Sequence, residues 1–335
     1  MEFNGWEVKG RWAPDYVRLR KQFRLTKFNF SPNMEPESFI NNELIVGHEF
    51  FGKWLNKVKG GKAALVSGFA PSGKPHIGTL CMFQQMAYYQ NKYNARLYIP
   101  IADLEASYVR HTKQAIIKAS TLDLLARLAA SGVNLKKSNI YLQSNNIDTL
   151  KKTYRLATLL NKSELDSVYW KNISLPYALS ALLMSSDILL PLDHGYHSVL
   201  VTLGIDEIGH IKLAGKLAKR LGLGNFPSVT YTDLIPGLSD SKMSKSTSKN
   251  NIQLSEDPRI AGEKVKDAVK KGNRLLYVNL VKWFSDDMVD IDSRTKPELA
   301  GKIVKELLEK QNERYNIAIK EAANIVNGLF KQKRG

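Results

Sequence analysis

The sequence predicts an α/β fold in which a parallel sheet precedes a helical C-terminal part. An apolar run at 63–68 is followed by a turn with proline and glycine, a helical pattern from His76 to about Tyr93, and a second apolar run at 96–102. Such a strand, turn, helix and strand form a βαβ unit, whose two strands are parallel. After residue 251 most of the chain has helical periodicity.

The other elements follow from the same periodicities. We predict an amphipathic helix at 112–132, a strand at 139–143, helical structure over 148–190 with a break at Leu175-Pro176, a buried strand at 198–204, a helix at 206–221 and a helix at 296–331. Residues 1–60 show no sustained period and are expected to form short elements.

The charge of the chain indicates a polyanionic partner. Lysine and arginine number 49 against 32 aspartates and glutamates, which gives a net charge of +17 and a pI of about 9.6. Such an excess raises the local concentration of polyanions and speeds their encounter. Nucleic acid is the natural partner, and the alternative is a basic balance that serves only solubility.

The composition and the N-terminus also indicate the cellular compartment of the protein. The single cysteine, Cys81, cannot form an internal disulfide and is too little for a structural zinc site. No apolar run reaches the roughly 20 residues of a membrane span, and the N-terminus lacks the pattern of a signal peptide. We therefore expect a cytoplasmic protein that does not contact membranes.

One segment has the features of a phosphate-binding helix start: Pro71-Ser72-Gly73-Lys74-Pro75-His76-Ile77-Gly78-Thr79. A helix N-terminus offers unpaired N–H groups and the positive end of the helix dipole. His76 and Thr79 share one face of the helix, and Gly78 leaves room for a flat ring close to the backbone. Alone, the pattern also fits a simple turn before a helix.

A second segment is a basic loop, Lys242-Met243-Ser244-Lys245-Ser246. Two lysines on a loop can stabilise charge that builds on a leaving pyrophosphate, because catalysis of phosphate transfer is largely positioning and charge stabilisation. Alone, such a run also fits a solvated surface loop.

Together the two segments resemble the two signatures of class I aminoacyl-tRNA synthetases. The first is similar to the "HIGH" motif and the second is "KMSKS" letter for letter. Their order and separation are similar to those of the small synthetases for tryptophan and tyrosine. The resemblance extends from about residue 6 to residue 253, and the segments IADLEA (101–106), MSSDILL (184–190) and GIDEIGH (204–210) match as well.

This resemblance implies a Rossmann-like doubly wound parallel sheet with an inserted helical segment and a helical C-terminal domain. The implied division is an N-terminal extension at 1–61, a catalytic domain at 62–240 with an insertion at about 112–190, and the KMSKS loop with a tRNA-binding domain at 241–335. The family uses ATP, usually with Mg²⁺, loads tRNA, and commonly works as a homodimer through the inserted segment.

Residue roles are carried over by position. The implied catalytic residues are His76, Thr79, Lys242 and Lys245. The implied ATP-binding residues are Pro71, Ser72, Gly73, His76, Gly78, Gly204, Asp206, Lys242, Met243 and Ser244. The implied amino-acid-binding residues are Ser67, Phe69, Glu105, Met184, Asp187 and Glu207. No protein metal site is expected.

The resemblance favours tryptophan as the amino acid. Asp187 falls where an aspartate receives the indole N–H, and Met184, one turn earlier, falls where a methionine packs on the ring. The tyrosine enzymes tend to have tyrosine at the position of Val66 and glutamine at that of Met184. The N-terminal run GWEVKGRWAPDYVRLRKQF also resembles the start of archaeal and eukaryotic tryptophan enzymes.

Three departures leave alternatives open. Thr79 replaces the last histidine of the first signature, Glu207 replaces a glutamine, and the full KMSKS motif is less typical of tryptophan enzymes. The alternatives are a tyrosine enzyme, a synthetase-derived protein that binds tRNA without catalysis, and a general nucleotidyltransferase.

Overall fold

A computed structural model describes residues 2–3, 8–9, 15–28, 44–169, 172–224, 226–239, 241, 243, 248–285 and 295–331. The strands within these ranges are β1 (Glu2–Phe3), β2 (Val8–Lys9), β3 (Ile45–Glu49), β4 (Ala63–Val66), β5 (Arg96–Ile101), β6 (Ser138–Leu142), β7 (Ser198–Gly204) and β8 (Ser228–Thr232).

The helices are longer than the strands and more numerous. They are α1 (Tyr16–Phe23), α2 (Phe51–Val58), α3 (Ile77–Tyr93), α4 (Gln114–Ala130), α5 (Ile147–Ala157), α6 (Lys162–Tyr169), α7 (Leu175–Asp193), α8 (Ile208–Arg220), α9 (Pro258–Lys270), α10 (Arg274–Phe284) and α11 (Pro297–Lys331). A π-helical turn spans Glu105–Val109.

The main sheet has the strand order β3-β8-β7-β4-β5-β6. All neighbours are parallel except β3 and β8, which are antiparallel. The sequence did not predict β3 or β8. The strand β3 lies in the segment expected to be an N-terminal extension, yet it forms one edge of the sheet. At the other edge lies β6, which belongs to the segment expected to be an insertion.

Helices cover both faces of this sheet, as the alternating side chains of β4 require. Leu65 packs into a core with α2, α3, α4 and the C-terminal helices. Ala64 and Val66 point to the opposite face, into a core with α1 and α5 to α8. Both faces are buried, which is typical of a parallel sheet with crossover helices. The predicted doubly wound α/β fold is confirmed.

The segment predicted as helical over 148–190 consists of three helices. Leu175 and Pro176 begin α7 instead of interrupting a helix, because proline lacks the N–H that a first helical turn leaves unpaired. By length and apolar composition α7 could cross a membrane, but most of it is buried among the other elements. It is the central helix of one face of the sheet.

The long helix α11 packs against α4 and α9. Arg127 of α4 is buried, lies 4.1 Å above the ring of Tyr315, and donates a hydrogen bond to Asn312 at 2.8 Å. Where α9 crosses α11, Gly262 and Gly301 face each other. A Cβ atom on either glycine would lie 2.8 Å from the carbonyl oxygen of the other. The C-terminal helix is therefore seated closely on the α/β part.

We predict that Gly301→Ala lowers the free energy of unfolding by about 1–3 kcal/mol, because the added methyl group pushes the two helices apart. Gly328→Ala, also in α11 but with no atom within 4 Å of the new Cβ, should raise it by up to about 1 kcal/mol through helix propensity alone. Urea unfolding of both variants checks this. Equal effects of the two substitutions would contradict the close crossing.

Candidate active site

A cavity of about 320 Å³ opens at the carboxyl ends of the parallel strands. Its wall includes residues that follow β4, β5, β7 and β8, and helix α7 forms one side. The chain runs outward from β4 in one direction through β5 and β6, and in the other through β7 and β8. The cavity thus lies where crossovers on either side diverge, which is the usual ligand site of open α/β sheets.

Most of the predicted site residues line this one cavity. They are Ser67, Phe69, His76, Gly78, Thr79, Glu105, Met184, Asp187, Gly204, Asp206, Glu207 and Met243. Pro71, Ser72 and Gly73 lie in the turn before α3 but not on the cavity wall. Lys242, Ser244 and Lys245 lie outside the described residues.

His76 is the residue that precedes α3, and its backbone N–H donates to Thr79 Oγ1 at 3.4 Å. Thr79 is buried and its hydroxyl helps to fix the helix start. A Cβ atom on Gly78 would lie 3.1 Å from the ring of His76. The absence of a side chain at Gly78 therefore leaves space for the ring of His76. The sequence analysis expected this space to serve a ring of the ligand.

The first signature is bonded to the segment just after the second. Ile77 N–H donates to the carbonyl oxygen of Ile252 at 3.0 Å, and Leu254 N–H donates to that of Pro75 at 2.9 Å. These bonds make an antiparallel bridge between His76 and Gln253. The helix start and the chain leaving the KMSKS loop are thereby held side by side.

The KMSKS loop is anchored from within by a methionine and an asparagine. Met243 is buried in the cavity wall, and its N–H donates to Ile235 O at 3.3 Å. Asn250 Oδ1 accepts from Ser239 N–H at 2.7 Å and from its hydroxyl at 2.6 Å, while Nδ2 donates to Ser241 Oγ at 2.9 Å. One side chain thus joins the two ends of the loop.

Asp187 lies on the α7 side of the cavity, one turn after Met184. Its carboxylate accepts hydrogen bonds from Tyr141 Oη at 2.8 Å and Gln143 Nε2 at 2.6 Å. Burial raises the pKa of Asp187 to about 7, although these hydrogen bonds oppose the shift. The sequence analysis missed both partners. Their two-residue spacing at the end of a predicted strand is the signal that they share one face.

Gly204, Asp206 and Glu207 form the end of β7 and the turn after it. A Cβ atom on Gly204 would overlap the Asp206 carboxylate, so this side chain position depends on the glycine. Glu207 Oε2 lies 3.2 Å from His210 Nε2, and His210 Nδ1 lies 2.8 Å from the hydroxyl of Tyr169. The sequence analysis missed His210, which also lines the cavity.

Glu105 lies in the π-helical turn, four residues after the last residue of β5. It lines the cavity together with Arg110, which the sequence analysis missed. The Arg110 guanidinium forms an ion pair with the Glu105 carboxylate at 2.7 Å and a hydrogen bond at 2.8 Å. Such π-helical turns occur often at functional sites.

Comparison with known proteins shows that this chain is similar to class I aminoacyl-tRNA ligases. The model of the family described as tRNA synthetases class I (W and Y) matches residues 58–331. Since the match covers most of the chain, the chain belongs to this family.

Three relatives and one solved structure show which members of the family the chain is similar to. The chain is 31% identical to the tryptophan--tRNA ligase of Methanocaldococcus jannaschii, over 82% of this chain and 77% of the relative. It is 31% identical to that of Aeropyrum pernix over 77% and 73%, and 29% identical to that of Methanopyrus kandleri over 81% and 74%. The crystal structure of the tryptophanyl-tRNA synthetase from A. pernix superposes with a TM-score of 0.79 at 24% identity, covering 94% and 96% of the two chains. This likeness shows the shared fold.

We predict that Asn250→Ala loosens the anchoring of the loop, because the hydrogen bonds to Ser239 and Ser241 are lost. The amides of Ser239 and Met243 should then exchange with deuterium at least about tenfold faster, which corresponds to about 1.4 kcal/mol. Asn91→Ala, which removes an exposed side-chain hydrogen bond far from the loop, is the control. Unchanged exchange in Asn250→Ala would show that the loop is held by other contacts.

Proposed function

We propose that this protein activates tryptophan with ATP and transfers it to tRNA. The observation that carries the proposal is a single cavity whose wall includes the helix start at His76, the KMSKS methionine Met243 and the buried acceptor Asp187. The relatives named as tryptophan--tRNA ligases support the same amino acid.

The pocket around Asp187 matches the chemistry of an indole. Val66, Met184 and Ile188 provide an apolar wall, and methionine is a soft, polarisable neighbour for an aromatic ring. Asp187 provides one anionic acceptor for the single N–H of the ring. An indole satisfies this set without leaving a buried polar group unpaired, and an unpaired group costs about 1–3 kcal/mol. In this proposal, Glu105 and Glu207 receive the substrate ammonium.

We propose that ATP binds between the start of α3 and the KMSKS loop. His76 contacts the phosphates, Gly204 and Asp206 line the ribose side, and Lys242 and Lys245 stabilise the pyrophosphate as the tryptophan carboxylate attacks the α-phosphorus. Among the described residues no three His, Cys, Asp or Glu side chains cluster as a metal site. As in the family that the chain resembles, Mg²⁺ would accompany the ATP phosphates and neutralise part of their charge.

The charge and surface of the chain support the remaining parts of the proposal. The net charge of +17 favours tRNA as the polyanion. Exposed apolar side chains on α5 and α7, namely Tyr154, Leu175 and Leu179, support a homodimer through the inserted segment. Cys81 is a free, buried cysteine. Because free thiols are typical of reducing compartments, we propose a cytoplasmic enzyme.

The decisive experiment is ATP–pyrophosphate exchange with each of the twenty amino acids, in which tryptophan should support exchange. His76→Ala and Lys242→Ala should each slow it by about 10²–10³-fold, because each removes charge stabilisation in the transition state. The exposed residues His197 and Lys219 provide matched alanine controls with wild-type rates.

Exchange with tyrosine alone would replace tryptophan by tyrosine in the proposal. The complete absence of exchange, together with tRNA binding, would favour the non-catalytic alternative. Near-normal exchange in His76→Ala or Lys242→Ala would remove that residue from the mechanism.

We also predict that tRNA affinity falls steeply with salt, because contacts between basic side chains and phosphates release counterions. Between about 50 and 200 mM salt, the dissociation constant should rise by at least about 10³-fold if six or more phosphates are contacted. Filter binding at several salt concentrations measures this slope. A flat response would show that the basic surface does not bind tRNA.

A further inference from the structure

Two side chains outside both signatures hold the Asp187 carboxylate. Tyr141 of β6 donates to Oδ1, and Gln143, which follows β6, donates to Oδ2. All three side chains are buried. Gln143 and Asp187 line the cavity, while Tyr141 is not on its wall. Each carboxylate oxygen thus receives a hydrogen bond from one of these two side chains, and a carboxylate oxygen can accept more than one donor.

We propose that Tyr141 and Gln143 are positioning residues that keep Asp187 an anionic acceptor, so that the cavity selects an aromatic ring with an N–H over an isosteric ring without one. The proposal rests on the tryptophan activation proposed above and names the groups that set its selectivity.

The physical basis is a balance at Asp187. Burial disfavours the ionised carboxylate and raises its pKa to about 7, while hydrogen bonds from Gln143 and Tyr141, and a further one from Thr149, lower it. Burial also raises the pKa of the Tyr141 hydroxyl well above its usual value, and the Asp187 charge raises it further, so this hydroxyl remains a donor. A protonated Asp187 would have an O–H donor in place of one anionic acceptor. Loss of either partner therefore favours the form that binds an indole N–H less well.

Other groups lie near Asp187 on the elements that pack against α7. Helix α7 packs against α5, α8, β4, β7 and the π-helical turn. From α5 come the buried threonines Thr149 and Thr153, and hydrogen bonding by Thr149 also lowers the pKa of Asp187. From β4 and β7 come Val66 and Val201. The titratable groups on the cavity wall from the neighbouring turns and α8 are Glu105, Arg110, Asp206, Glu207 and His210. Substitution of Tyr141 or Gln143 leaves all of these unchanged.

The first test is the pH dependence of exchange for the wild type, Tyr141→Phe and Gln143→Met, from about pH 5.5 to about 9, a range that spans the ionisation of a buried carboxyl. In the wild type, KM for tryptophan should rise as the pH falls through about 7. In each variant the pKa of Asp187 is higher, so the rise should begin about one pH unit higher. The value of kcat should change little, because Asp187 contacts the ring and not the reacting atoms.

Tyr98→Phe is the matched control. Tyr98 is a buried tyrosine of the adjacent strand β5, and its hydroxyl lies 2.8 Å from His194 Nδ1, away from the cavity. This variant removes the same atom from the same kind of environment and should keep the wild-type pH profile.

The second test uses 3-benzothienylalanine, in which a ring sulfur replaces the indole N–H. Above about pH 7 the wild type should prefer tryptophan in kcat/KM by about tenfold or more, since a hydrogen bond to a charged group contributes about 1.5–3 kcal/mol. In Tyr141→Phe and Gln143→Met this preference should fall at neutral pH and return at higher pH. A merely structural role would lower the rates with both substrates equally and leave their ratio unchanged.

An unchanged pH profile and an unchanged preference in both variants would overturn the proposal. Equal loss with both substrates would also overturn it. Gln143→Met preserves side-chain length, so it decides the question if Tyr141→Phe does not fold. The proposed function is tested separately, because wild-type exchange with tryptophan does not depend on either substitution.

Discussion

The short antiparallel bridge between the start of α3 and residues 252–254 is the constraint on which the site depends. The first N–H groups of a helix have no partner within the helix. Here the Ile77 N–H is satisfied by the Ile252 carbonyl instead of a ligand, and the Pro75 carbonyl accepts from Leu254. One N–H group of the helix tip is thus no longer available to a ligand, but its hydrogen bond fixes the helix start relative to the chain that leaves the KMSKS loop. Met243 and Asn250 extend this connection through the loop itself.

Asp187 shows how the opposite side of the cavity is built from distant parts of the chain. Its partners are Tyr141 of β6, at the edge of the sheet, and Gln143, directly after this strand, both more than 40 residues earlier in sequence. The parallel pairing of β6 with β5 fixes the register of this edge strand. The sheet edge therefore positions the two side chains that donate to the Asp187 carboxylate.

The sequence predicted the elements that are marked by a local pattern, and it did not predict those that depend on contacts between distant segments. The strands β4, β5 and β7 and helices α3 and α11 were predicted because long apolar runs and regular periods identify them. The strands β3 and β8 were not, because IVGHE and SVTYT mix polar and apolar residues and their antiparallel pairing joins segments far apart in sequence. Likewise the signatures identified His76 and Met243, whereas Arg110 and His210 contribute through contacts that exist only once the chain has folded.

The distribution of charge supports the role proposed for the two lysines of the KMSKS loop. Although the chain has a net charge of +17, the described cavity wall carries five carboxyl groups and a single arginine. Glu105 pairs with Arg110, Glu207 with His210 and Asp233 with the Tyr16 hydroxyl, while Asp187 accepts from Tyr141 and Gln143. An acidic wall suits an ammonium group but repels a triphosphate. Within the proposed mechanism, Lys242 and Lys245 supply the positive charge that this wall does not offer to ATP. In the same proposal, the basic residues elsewhere on the chain attract tRNA.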